Sequence, residues 1–224
     1  MSRSRLAALD RRQMLSWIAR TSAGVAGMRM LAGCGEPEAT GVDAASGIDG
    51  HAAVCTPTST DVLGPFYRPG APSRMTIAAV AEPGDRLVFD GVVVGPDCAP
   101  LAGAMLDVWQ ADKDGRYYEP NGAEPFRLRG RFQAGADGTW QLHTIRPGNY
   151  MLDATLWRPA HLHVTVTHPE YRTLTTQLYF EDDPFLPPND GCTSCGSDDP
   201  ARILRLDAGR DGLRTAVELV LARA

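Results

Sequence analysis

Residues 61–224 predict an all-β fold, an antiparallel β-sandwich with long loops, and three observations carry that expectation. Short apolar or alternating runs recur with a turn about every ten residues, as in two-layer sheets. The composition, with Gly 23 and Pro 17, favours many turns over long helices. No long helical segment separates the runs, so a βαβ sheet is disfavoured. The first run is 86–94, where Leu87, Phe89 and Val93 sit among alternating residues. After a turn at 100–103 comes 105–109; Asp137-Gly138 then opens 139–145, which Pro147-Gly148 closes. The runs 160–167, 174–180 and 213–221 complete at least six. In the last, Leu213, Val217 and Val220 also fit helical spacing. No internal repeat is seen.

A chain of 224 residues suits one sizeable core and is short for two. Apolar residues at 43% and charged residues at 22% make an ordinary globular mixture, not a disordered one. No uncharged apolar stretch reaches the roughly 18 residues of a spanning helix. The net charge of −5 argues against a nucleic-acid partner. That charge is unevenly spread: 1–33 carry six arginines against Asp10, leaving 16 basic and 26 acidic residues behind them. Arg11-Arg12, a mildly apolar run and Leu31-Ala32-Gly33-Cys34 resemble a twin-arginine signal peptide ending in a lipoprotein cleavage box. The competing reading is a short amphipathic helix. The expected organisation is a signal peptide over 1–33, a flexible tether over 34–60 and a β-sandwich over 61–224. The protein is expected to be exported, as a cell-envelope lipoprotein or in the periplasm or beyond, touching membrane only through lipid on Cys34. Four cysteines then remain, and of three pairings we favour Cys55 with Cys98 and Cys192 with Cys195. Half of a zinc knuckle or a redox pair is the rival reading of 192–195.

Four of the five histidines lie between 143 and 168. On a strand, His161 and His163 present two imidazoles to one face, with Leu162, Val164 and Val166 on the other. Alternate residues stand about 6.6 Å apart, close enough for both rings to bind one metal ion. Such a pair is a modest signal alone. Its company strengthens it: Trp157-Arg158-Pro159-Ala160 runs directly into it, and Tyr150 follows the Pro147-Gly148 turn.

Several further motifs resemble those of the intradiol ring-cleavage dioxygenases. These are Leu63-Gly64-Pro65-Phe66-Tyr67, the stretch 107–112, Gly115-Arg116-Tyr117, the stretch 146–150, the stretch 158–163 and Thr176-Gln177-Leu178-Tyr179-Phe180, in the right order across about 61–190. The resemblance implies a non-haem iron(III) centre held by Tyr117, Tyr150, His161 and His163. Anionic oxygen donors suit a hard trivalent ion, and a cation at bonding distance drives the proton from a phenol. Tyr117 and Tyr118 would face oppositely if extended, so only one can ligate; the resemblance selects Tyr117. It further implies that a catechol-type diol displaces Tyr150. Both atoms of dioxygen then enter the substrate, and the ring opens between its hydroxyls to a cis,cis-muconate-type product. Arg158 would hold charge building on the substrate, Gln177 would line the pocket, and Gly64, Pro65 and Tyr67 would border the substrate.

The alternative function is a non-catalytic transthyretin-like or carboxypeptidase-regulatory-like sandwich module, which the turns at 100–104, 137–139 and 146–150 also resemble. Such a module does not need Tyr117, Arg158, His161 and His163 together. A cupin-type enzyme would want a glutamate about four residues after the histidine pair, and 164–167 offer none. No nucleophile elbow is present. His143 and His168 are read as structural or exposed. Arg127, Arg129 and Arg131 are read as a solvated strand face, with contact to an acidic ring substituent as the other reading. The expected partners are a small catechol-type molecule and dioxygen; a homo-oligomer stays open.

Overall fold

A computed structural model describes residues 54–118 and 124–224. The expected signal peptide, Cys34 and most of the expected tether lie outside the described residues. The rest is almost wholly β. The strands are β1 (Arg86–Val94), β2 (Met105–Gln110), β3 (Arg129–Gln133), β4 (Thr139–Ile145), β5 (Tyr150–Met151), β6 (Trp157–Arg158), β7 (His161–His168), β8 (Tyr171–Phe180), β9 (Ile203–Leu204), β10 (Asp207–Gly209) and β11 (Gly212–Val220). One sheet runs β10-β11-β1-β4, a second β3-β2-β7-β8-β9, and β5 pairs with β6 in a small hairpin.

Alternation decides which face each strand buries. Leu87, Phe89 and Val93 of β1 enter the core, as do Leu106 and Val108 of β2, Leu162, Val164 and Val166 of β7, and Leu174, Leu178 and Phe180 of β8. Phe89 and Phe180 meet across it with ring centroids 6.3 Å apart. Burying one such side chain is worth about 1.5–3 kcal/mol. Gln110 bonds the sheets polar to polar: Nε2 donates to Ile145 O at 3.0 Å, and Oε1 accepts from Thr144 Oγ1 at 2.8 Å.

The expected strands at 86–94 and 139–145 match β1 and β4 in both bounds. The segment from Leu213 is a strand, not a helix, because it pairs along β1 from Leu87↔Leu213 to Val94↔Val220. That pairing is parallel, as is β8 with β9, so the sandwich is mixed rather than purely antiparallel. Residues 54–60, expected at the end of the tether, are instead laid along the domain. Cys55 is disulfide-bonded to Cys98. Thr58 N donates to Val220 O at 3.0 Å, and Thr176 Oγ1 donates to Ser59 O at 2.9 Å. The second disulfide joins Cys192 to Cys195, so the favoured pairing is the one present.

The solvated-face reading fails for Arg129, which is buried. Residues 72–77 lie over β3, with Arg131 N donating to Pro72 O and Arg74 Nε to Arg129 O. Arg131 stays exposed, and Arg127 is half-buried against Glu82 with Nε 2.6 Å from Oε2.

Candidate metal centre

The face of the second sheet turned away from the core is also covered, and the polar residues of β7 lie beneath that cover. Register places Trp109, His163 and Gln177 in one row and His161 beside Tyr179 in the next. All five are buried. Two loops, carrying Phe66 and Tyr117, and the β5–β6 hairpin, carrying Tyr150, form the roof. Two glycines let the tyrosine loops interlock. A Cβ on Gly115, at φ +76, would lie 2.0 Å from Asn149 O, and one on Gly148 2.2 Å from Lys113 O. Gly148 N donates to Asp112 O at 2.8 Å, locking the turns together.

Tyr117, Tyr150, His161 and His163 therefore converge. Ring centroids are 5.7 Å apart for Tyr117–Tyr150, 6.3 Å for Tyr117–His163 and 5.7 Å for Tyr150–His161. The imidazoles aim their Nε2 atoms at each other across 3.2 Å. His161 Nδ1 stands 2.7 Å from Pro159 O; as a donor to that carbonyl it leaves Nε2 as the lone-pair nitrogen. Two nitrogens each about 2.0–2.1 Å from one ion would lie about 3 Å apart, as these do.

Burial, then Arg158, drives the His161 pKa down to about 3, and burial with His161 pushes His163 well below its ordinary value. Both are thus neutral, the form that ligates. Burial raises Tyr117 well above the ordinary phenol range and raises Tyr150, with Arg158 opposing the shift in each. Without a cation both phenols keep their protons.

A metal passes the test of fit on one atom in particular. Tyr117 Oη is buried with no hydrogen-bond partner among the described residues, a cost of about 1–3 kcal/mol that metal ligation would remove. The neighbouring phenols are committed elsewhere. Tyr118 donates to Asp112 Oδ2 at 3.0 Å beneath Arg127, and Tyr179 donates to Asp61 Oδ2 at 2.8 Å. The geometry thus separates Tyr117 from Tyr118, as the motif resemblance does. No group of three or more His, Cys, Asp or Glu is poised for a metal among the described residues.

Arg158 is buried. Its Nη2 donates to Gln177 Oε1 at 2.8 Å and to Tyr179 Oη at 3.1 Å. Its Nε lies 3.0 Å from Asp190 Oδ1, an ion pair by distance without an aligned N–H bond. Gln177 Nε2 donates to Val62 O at 2.8 Å, so Gln177 faces this cluster and not solvent. Of the expected pocket residues, Gly64 sits on His163: at φ +75, its Cβ would come 3.1 Å from His163 Cε1. Tyr67 donates to Asp107 Oδ2 at 3.3 Å and packs on Trp109. Pro65 is exposed. His143 is exposed and His168 half-buried against Tyr171, both away from the cluster.

Sequence reasoning missed several residues here. Phe66 stacks on Tyr117 with centroids 4.1 Å apart, and Trp109 stacks on His163 at 4.7 Å. Asp183 Oδ2 accepts from Ala160 N at 2.8 Å and Asn149 Nδ2 at 2.5 Å, joining the approach to His161 with the turn before Tyr150. Its only signal was an acidic pair before Pro184, a turn pattern.

A β-sandwich with two tyrosines and two histidines converging on its covered outer face defines the class. A family profile described as Dioxygenase matches residues 62–221. The chlorocatechol 1,2-dioxygenase of Rhodococcus opacus is 37% identical over 171 residues, 67% of this chain and 66% of that protein. An intradiol ring-cleavage dioxygenase of Aspergillus niger is 35% identical over 151 residues, 58% of this chain and 48% of that one. Among solved structures, the 3-chlorocatechol 1,2-dioxygenase of Rhodococcus opacus superimposes with a TM-score of 0.68 at 32% identity, covering 75% of this chain and 73% of that one. The dioxygenase domain of a carbohydrate-binding fusion from Streptomyces sp. SirexAA-E gives 0.63 at 36%, covering 75% of this chain and 100% of that one. The chain belongs to the intradiol ring-cleavage dioxygenase family. It spans about half to two thirds of the length of these curated relatives. The non-catalytic module finds no support among them.

Proposed function

We propose that this protein is a non-haem iron(III) dioxygenase that cleaves a catechol-type diol between its hydroxyls, placing both atoms of dioxygen in a cis,cis-muconate-type product. The observation that carries the reading is the convergence of the 3.2 Å Nε2 pair with Tyr150 and the unpartnered Tyr117 hydroxyl. Tyr117, Tyr150, His161 and His163 would hold the iron. When bound, iron(III) would supply the Lewis acidity that makes a diol ring reactive toward dioxygen.

The chain's own groups do the rest. Tyr150 is only half-buried and lies within the hydrogen-bond reach of Arg158. Its Oη would therefore be the phenol oxygen suited to take up a substrate proton. Arg158 puts a fixed cation where negative charge grows on the substrate. Gln177 holds the Arg158 fork in one orientation. Phe66, stacked over Tyr117, keeps water off that phenol.

Metal analysis with a visible spectrum tests the proposal. The expected result is a reddish protein with about one iron per chain, whose tyrosinate band shifts when a catechol is added without oxygen and which turns over when oxygen returns. A colourless protein that refuses iron on reconstitution would overturn it.

We also infer export with a lipid on Cys34. The two disulfides support an oxidising compartment. Arg11→Lys with Arg12→Lys should leave the protein in the cytoplasm, and Cys34→Ala should release it from membranes; unchanged fractionation in both would remove the inference.

A further inference from the structure

We propose that Asp190 is a positioning residue for Arg158, and that the Cys192–Cys195 disulfide is a reducible clasp on the turn that delivers it. The inference rests on the function proposed for the metal centre and adds a redox control to it. Arg158 is gripped from two sides: Gln177 and Tyr179 take Nη2, and Asp190 supplies the carboxylate beside Nε. Asp190 is the only carboxylate within ion-pair distance of Arg158 among the described residues.

Asp190 does not come from the sheet. It arrives on a loop, with its side chain buried, and is fixed from within that loop. Its Oδ1 accepts from Cys192 N at 2.9 Å and its Oδ2 from Ser197 Oγ at 2.5 Å. The next residue, Gly191, donates its N–H to Trp157 O at 2.7 Å, the backbone oxygen just before Arg158. Cys192 and Cys195 close the turn between these two partners of Asp190, with Cys195 N also donating to Cys192 O at 3.3 Å. Beyond it, Gly196 N donates to Asp61 Oδ2 at 3.3 Å, and that carboxylate accepts from Tyr179. Both ends of the clasp therefore reach groups that hold Arg158.

Loss of the disulfide would free the turn, loosen both bonds on Asp190 and leave the Arg158 fork without its counter-charge. Both cysteines are half-buried, within reach of a small reductant. A phosphine reductant makes the step explicit. Phosphorus takes the oxygen of one water and becomes the oxide, the S–S bond breaks, and the two water protons end on the two thiols.

The test uses iron-loaded protein, reading iron content, the tyrosinate band, KM and kcat on a catechol. Asp190→Asn keeps the size of the side chain and one of its two acceptors but removes the charge. It should retain iron and band and leave KM within about threefold, but lower kcat about ten- to a hundredfold, the cost expected of a misplaced group. Asp190→Glu should regain part of that loss. Phosphine should lower kcat in the wild type and in Cys55→Ser/Cys98→Ser. Cys192→Ser/Cys195→Ser should start low and not respond. Asp190→Asn with the wild-type kcat would overturn the positioning role. A phosphine effect on the Cys192→Ser/Cys195→Ser protein as large as on the wild type would place the effect on the iron and overturn the clasp. A wild-type protein that binds iron yet opens no catechol would instead refute the function itself.

Discussion

Replacing Arg158 by methionine keeps the unbranched stem about as far as Nε and deletes the guanidinium and its charge, and the surroundings set the cost. Arg158 is 3% exposed and the Asp190 side chain 2%, so the substitution strands a buried carboxylate. Breaking a buried pair from one side costs about 3–5 kcal/mol, a large part of the stability of a single domain. Gln177 Oε1 also loses a donor. Two effects are thus mixed, and a second substitution separates them. Arg158→Met with Asp190→Asn removes the stranded charge, so the denaturation midpoint should recover most of its loss. Turnover should not recover. If Arg158 holds charge on the substrate, about 2.7–4 kcal/mol of transition-state stabilisation is missing in both variants, a hundredfold to a thousandfold in kcat. Arg158→Lys should restore only part, because an ammonium cannot span Gln177, Tyr179 and Asp190 as a planar fork does. Urea denaturation and steady-state rates on iron-replete protein decide the matter. A double variant that turns over like the wild type would show that Arg158 only neutralises Asp190.

Tyr117→Phe should cut iron retention about ten- to a hundredfold and abolish much of the red band, whereas Tyr118→Phe should keep both; metal analysis after dialysis separates them. Equal retention in the two variants would mean that the unpartnered hydroxyl marks no ligand. Metal-free protein should lose stability in acid on account of its histidines. Their folded pKa values lie far below the ordinary 6.5, His161 near 3, so the unfolded chain binds more protons between those limits. Their contribution is complete above pH 6.5 and falls away as pH drops toward 3. Denaturant midpoints at pH 7 and pH 4.5 should differ less in His161→Gln/His163→Gln than in the parent, and an identical drop in both would refute the assignment.

What was legible in the sequence divides along physical lines. β1 and β4 could be bounded because one face of each meets the core and the other meets solvent, which writes alternation into the residues. β7 betrayed both its faces, Leu162, Val164 and Val166 on one and the imidazoles on the other. Strands of two or three residues, such as β5, β6 and β9, are too short to carry a period. Whether 213–221 was helix or strand turned on its pairing with β1, a partner far away in sequence. The site was readable where its residues sit in motifs and unreadable where loops return to it. Asp61, Asp183 and Asp190 are ordinary loop acids until the chain brings them beneath Tyr179, Ala160 and Arg158. Arg129 misled for the opposite reason: its spacing suggests solvent, and a separate segment covers it.

The order of the sheets also sets how the chain can acquire them. β11, the last in sequence of the described strands, lies inside its sheet between β10 and β1 and not at an edge. Until residue 220 has been synthesised, β1 has no partner on that flank, and Thr58 lacks the strand that holds the start of the domain. Every tyrosine and histidine of the centre is already polymerised by then. Contacts of such long separation close slowly, because the entropy of the intervening loop is lost before any pairing compensates for it. Assembly of this sheet therefore waits for β11. Removing the final strand would split a sheet down its middle where trimming an edge would only shorten it, and a ribosome stalled before that point would display an open, unpaired β1.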